Sequence, residues 1–172
     1  GKGWDSSQIF DHLRIAESTK YQKYLNQYDI IYIDFSRLPE NCTSYQKYIN
    51  RIITGLKTDL INAYPDYELN SEIAVWDMLS IISDRSDQQF VFIMDEWDAV
   101  FHMPFITEAE KAEYILFLKT LLKDQDYVAL AYITGILPIS KYSSGSELNM
   151  FMEFKMTSMK AFGEYFGFTD TE

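Results

Sequence analysis

FVFIMDEWDAVF, residues 90–101, is the stretch from which the rest of the chain is best understood. Five consecutive apolar residues, 90–94, run straight into two adjacent carboxylates, Asp95 and Glu96. An apolar run of that length is the pattern of a strand buried on both faces of a parallel sheet. Ligands of open α/β sheets sit beyond the carboxyl ends of the strands, which is where Asp95 and Glu96 fall. Two carboxylates there can divide labour: one holds a magnesium ion, directly or through water, and the other orients and deprotonates an attacking water. Acidic residues also end strands merely because the chain is leaving the core, and the motif by itself leaves both readings open. Asp98 is expected to cap the short segment 99–101 rather than to act as a third acid.

Further apolar runs flank this one. Residues 30–35 (IIYIDF) form a β-branched and aromatic run closed by Pro39, and residues 128–134 (VALAYIT) form another before Gly135. Between and around them the apolar residues recur at helical spacing. Tyr45, Tyr48, Ile49, Ile52, Ile53, Leu56 and Leu60 predict a helix over 43–64, stopped by Pro65. Val75, Met78, Leu79 and Ile82 predict a second helix, capped by Ser71, that gives way to a polar stretch at 83–88. Thr107 and Glu110 make a capping-box pattern ahead of Tyr114, Phe117, Leu118 and Leu121. A short helix is expected over 5–16 behind Asp5 and Ser6. After the turn-rich segment 143–146, the alternation of Met150, Met152, Phe154 and Met156 predicts a half-exposed edge strand over 150–156. Strands separated by helices imply α/β crossovers and a mostly parallel sheet, and 172 residues suit one domain.

Composition narrows the chemistry. A net charge of −11 with no basic stripe repels polyanions, so direct nucleic-acid binding by this segment is not expected. The single Cys42 forbids an internal disulfide, and no histidine neighbours it in sequence to activate it as a nucleophile. His12 and His102 are the only histidines and share no metal-ligand spacing, which argues against a zinc enzyme. No apolar run is long enough to span a membrane and no signal-peptide pattern opens the chain, so the expected compartment is the cytoplasm. Thr134, at the end of an apolar strand, offers a hydroxyl toward a γ-phosphate or a lytic water, or else serves only β-propensity before a turn. Asp34 is at least as well suited to forming a turn as to acting as an acid. Trp4, Trp76 and Trp97 are expected to fill core and surface rather than to stack on a base.

Taken with AYITGILPISKY (131–142) and ELNMFMEFKMTSM (147–159), the stretch at 90–101 resembles the predicted AAA-ATPase-like family of bacterial proteins. The resemblance runs back through YDIIYIDFS (28–36) and FDHLRIA (10–16) and forward to YFGFT (165–169). It implies a P-loop NTPase-like three-layer α/β fold, of the class with an extra strand and a catalytic glutamate. It further implies that Asp95 is the magnesium-associated Walker B acid, Glu96 the catalytic base and Thr134 a sensor-like residue on the neighbouring strand. Many members carry a nuclease-like domain further on.

The sequence departs from that pattern in one respect. A Walker A loop needs Gly-rich backbone amides and a Lys to cradle phosphates, and no G-x-x-x-x-G-K-[ST] occurs in these residues. The expectation is therefore a partial ATPase-like domain over 1–172, whose Walker A segment and first central strand lie upstream. ATP and Mg2+ belong to the complete protein, and neither is expected to bind this chain tightly alone. The edge of the 128–134 strand left by the missing neighbour should pair with the 150–156 strand or with another chain. Two other readings stand beside this one: a non-catalytic interaction or scaffold module with a decayed nucleotide site, and a metal-dependent hydrolase built on Asp95, Glu96 and Asp98.

Overall fold

The computed structural model describes Gly3, residues 5–142 and residues 148–155. Two short helices open it, α1 (Ser7–Phe10) and α2 (Tyr21–Tyr24), followed by β1 (Asp29–Asp34), α3 (Tyr45–Ala63), α4 (Val75–Ser86), β2 (Phe90–Asp95), α5 (Glu108–Leu122), β3 (Val128–Ile133) and α6 (Ile139–Tyr142). The strands form one parallel sheet in the order β1-β2-β3. The expected α/β class with a parallel sheet is what the chain adopts.

The sheet is packed unequally on its two faces. Phe90, Phe92 and Met94 of β2 are buried, and with Ile33 and Phe35 they face α3, α4 and α5. Edge-on ring contacts tie that layer together, Phe35 to Tyr114 at 5.6 Å and Tyr64 to Phe90 at 6.2 Å between centroids. The opposite face carries Ile30 and Tyr32 of β1, Val91 and Ile93 of β2, and Leu130 and Tyr132 of β3. Among the described residues nothing covers it, and Tyr32 and Leu130 are each 57% exposed. The reading of β2 as buried on both faces is thereby corrected: an unbroken apolar run does not reveal that one side lacks a covering layer.

Helices form where periodicity and caps agree. Ser44 accepts from the Lys47 amide at the start of α3, and the buried Tyr45, Tyr48, Ile49, Ile52 and Leu60 lie on one side of it. At α5 both halves of the capping box are made, the Thr107 hydroxyl accepting from the Glu110 amide and the Glu110 carboxylate accepting from the Thr107 amide. The bond from the Thr107 backbone, followed by that from its hydroxyl, holds the Glu110 carboxyl below its ordinary pKa. Its contribution is therefore present above the unfolded pKa of about 4.3 and is lost as pH falls through the lowered folded value. Thr107→Ala should lower Tm by about 2–4 °C at pH 7, and the gap to the parent should shrink in melts below pH 4.

Three expectations fail. The 5–16 segment is no continuous helix: α1 ends at Phe10 and a separate 3-10 turn covers Arg14–Glu17. Ile9, Leu13 and Ile15 are exposed, so no burial rewards one continuous helix. Ser71 does not cap the helix before β2. Asn70 instead draws the Glu72 amide onto its side chain at 3.0 Å, and α4 starts after Ala74. Residues 150–155 form no strand, and Met156 lies outside the described residues. Leu148 is buried in the core and Phe151 packs against it, so this segment is anchored by side chains rather than by a ladder.

Candidate functional site

The carboxyl ends of β2 and β3 converge because of a one-residue irregularity. Phe90 pairs with Val128, but Val91 pairs with Leu130, so β3 carries an extra residue at Ala129. The shift brings Met94 opposite Ile133, and the next positions, Asp95 and Thr134, then fall side by side. The Thr134 hydroxyl donates to Asp95 Oδ1. The same hydroxyl accepts from the Glu96 amide at 3.4 Å. From the other side, Tyr32 of β1 donates to Asp95 Oδ2 at 3.4 Å, and burial, followed by the charges of Asp95 and Asp34, pushes the Tyr32 pKa up and keeps that hydroxyl protonated.

Glu96 has a left-handed backbone, φ 54°. For a non-glycine residue that conformation costs on the order of 1 kcal/mol. It turns the chain so that the Glu96 side chain is exposed to solvent while Trp97, next in sequence, is 2% exposed. Two residues with opposite solvent preferences thus leave the strand end in different directions.

Behind Glu96 the two strand-end loops are stitched together. The Trp97 amide donates to the Thr134 carbonyl at 3.0 Å and its indole Nε1 to the Leu137 carbonyl at 3.2 Å. Tyr114 of α5, fully buried, donates to the Trp97 carbonyl at 2.7 Å. Asp98 stands at the N-terminal boundary of the 3-10 turn Ala99–His102 but makes no capping bond to it. Its carboxylate, 1% exposed, accepts from the Leu137 amide at 2.8 Å and the Ile136 amide at 3.2 Å. The expected cap is corrected to a clamp on the loop after β3. That clamp also withdraws Asp98 from any acid cluster with Asp95 and Glu96, and no group of three metal-ligating side chains occurs among the described residues.

Gly135 lies between these partners. A Cβ there would sit 2.5 Å from Trp97 Cδ1 and 2.8 Å from its Nε1, and would collide with Asp98 Oδ1. The sequence marks Gly135 only as a turn, and it gave no sign of Tyr32 or of the Asp98 clamp.

Asp34 behaves as a turn former. It accepts from the Ser36 hydroxyl at 2.6 Å, the Ser36 amide at 3.0 Å and Arg37 Nε at 2.9 Å, and the Ser36 hydroxyl bond leads in holding its carboxyl below the ordinary range. Cys42 is a half-buried free thiol. Trp97 fills core, Trp76 packs against it, and Trp4 lies outside the described residues. Among the described residues no helix is long and apolar enough to cross a membrane.

The site fits a small hard cation by its chemistry. Asp95 is half-buried at a strand end, its two oxygens positioned by two hydroxyls, with the exposed Glu96 carboxylate next to it. A family model described as a predicted AAA-ATPase matches residues 3–144. No curated protein and no solved structure matches the chain.

Proposed function

The chain belongs to the predicted AAA-ATPase-like family, and from that premise we propose that Asp95, Glu96 and Thr134 form the hydrolytic half of an ATPase centre. The observation that carries this reading is the Thr134 hydroxyl bonded to Asp95 across adjacent parallel strand ends, with Glu96 exposed beside them.

Each residue then has a separate task. Asp95 would hold magnesium, which would supply charge neutralisation to the phosphates when bound. Glu96 takes the proton of the attacking water on its free carboxylate. Thr134 fixes the Asp95 rotamer and ties the strand carrying the acids to its neighbour. Tyr32 braces the same carboxylate from β1. No Gly-rich loop with a Lys occurs in these 172 residues, so the phosphates are cradled by another segment or another chain.

The test is ATP turnover by the longest natural protein that contains these residues. Turnover should require magnesium, and Asp95→Asn should raise the magnesium concentration for half-maximal rate at least tenfold. Turnover undiminished in EDTA would sink the assignment of Asp95 to magnesium, and a protein that binds no ATP would sink the whole proposal and leave a scaffold module in its place.

A further inference from the structure

The outer edge of β1 is unpaired among the described residues, because β1 ends the sheet. The Phe35 amide donates to the Asp95 carbonyl at 3.0 Å, which fixes the odd-numbered residues of β1 as those that turn toward β2. Ile30 and Tyr32 therefore direct their N–H and C=O groups outward. A groove of about 420 Å³ runs along this edge, between residues 29–32 and the flank of α3, with Leu56, Asp59 and Ala63 on its far wall. Its lining includes none of Asp95, Glu96 and Thr134, although Tyr32, whose hydroxyl donates to Asp95, stands at one end of it.

We propose that this groove accepts an extended peptide as an added strand, and that the peptide carries Lys or Arg beside alternating apolar residues. Ile30 and Tyr32 offer two N–H and two C=O groups to its backbone. Alternate side chains of the peptide would lie against Leu56 and Ala63 on one side and against the exposed Ile30 and Tyr32 on the other. The charge of the partner follows from Asp29 and Asp59, which line the groove with no cation paired to either among the described residues. The whole-chain charge of −11 acts in the same direction.

A second copy of the chain is the wrong partner for this edge. Antiparallel pairing of two β1 edges must set outward-facing residues opposite one another, Ile30 against Tyr32 or Tyr32 against Tyr32. It also brings together two chains that each carry a charge of −11 and an acidic groove. Repulsion between two such acidic surfaces opposes self-pairing.

The probe is a fluorescein-labelled hexapeptide, Lys-Thr-Val-Thr-Val-Lys, compared by anisotropy with Glu-Thr-Val-Thr-Val-Glu. The Lys peptide should bind saturably and about tenfold more tightly than the Glu peptide. Ile30→Pro removes one outward N–H while sparing the ladder to β2, and should weaken the Lys peptide roughly fivefold. Asp59→Lys, on the exposed flank of α3, should remove the preference for the Lys peptide. Should Ile30→Pro fail to fold by circular dichroism, Asp59→Lys decides the question alone. Equal binding of the two peptides, or a preference untouched by Asp59→Lys, would overturn the proposal. So would a concentration-dependent dimer abolished by Ile30→Pro.

Discussion

Glu96→Gln, made in the longest natural protein containing these residues, should slow ATP turnover at least a hundredfold and leave ATP bound. The size follows from the contribution of a positioned general base, about 10²–10⁴ in rate. Glutamine keeps the length and shape of the side chain and can still hydrogen-bond a water, but its amide oxygen cannot take a proton at neutral pH. Asp95 keeps both of its hydroxyl partners, since neither Thr134 nor Tyr32 bonds to the Glu96 side chain. Magnesium and nucleotide affinity should therefore stay within about threefold of the parent. The readout is single-turnover hydrolysis alongside equilibrium binding of ATP. A variant that turns over at the parental rate would remove Glu96 from the chemistry; one that loses ATP binding with turnover would make it a positioning residue.

Gly135→Ala should be strongly destabilising, since among the described glycines it is the one where an added Cβ meets other atoms within 4 Å. The added carbon meets the indole of Trp97 and the carboxylate of Asp98, both buried, so neither can swing into solvent to make room. Forcing them apart combines overpacking with loss of the bonds from Ile136 and Leu137 to Asp98, a cost of roughly 2–4 kcal/mol. In a chain of this size that lowers Tm by about 5–15 °C. Gly55→Ala is the matched control. Gly55 lies inside α3 with nothing within 4 Å of an added Cβ, and there the same methyl should raise Tm by about 2–4 °C through helix propensity. Thermal melts of the two variants should move in opposite directions. A Gly135→Ala protein as stable as the parent would mean that the two strand-end loops are not locked together in solution.

The contrast between these glycines shows where sequence reading ends. Helix α3 was legible from its apolar stripe and the stop at Pro65, and α5 from its capping box and stripe, and all of these signals are local. Strand β2 was legible from its unbroken apolar run, and with it the location of Asp95 and Glu96. Thr134 was singled out as a strand-end hydroxyl, but its bond to Asp95 was not legible. That bond depends on the extra residue at Ala129, and a register shift between strands distant in sequence leaves no local mark. Asp98 was misread for the same reason, since its partners lie 38 and 39 positions away and a capping role was the nearest local use for it. The 150–155 segment shows the reverse error. Its alternation satisfies the strand pattern, yet a strand also needs a neighbouring edge to bond, and pattern alone does not supply one.

The order of the strands in space is also their order along the chain. As this stretch emerges from a ribosome, β1 is available before β2, and β2 before β3, so each strand arrives to find its template already made. Among the described residues no strand has to be inserted between two that have already met. Assembly of these residues can therefore proceed in the direction of synthesis, by growth at a single advancing edge. The join between Asp95 and Thr134 is made in its last step, which leaves the candidate centre incomplete until the sheet is finished.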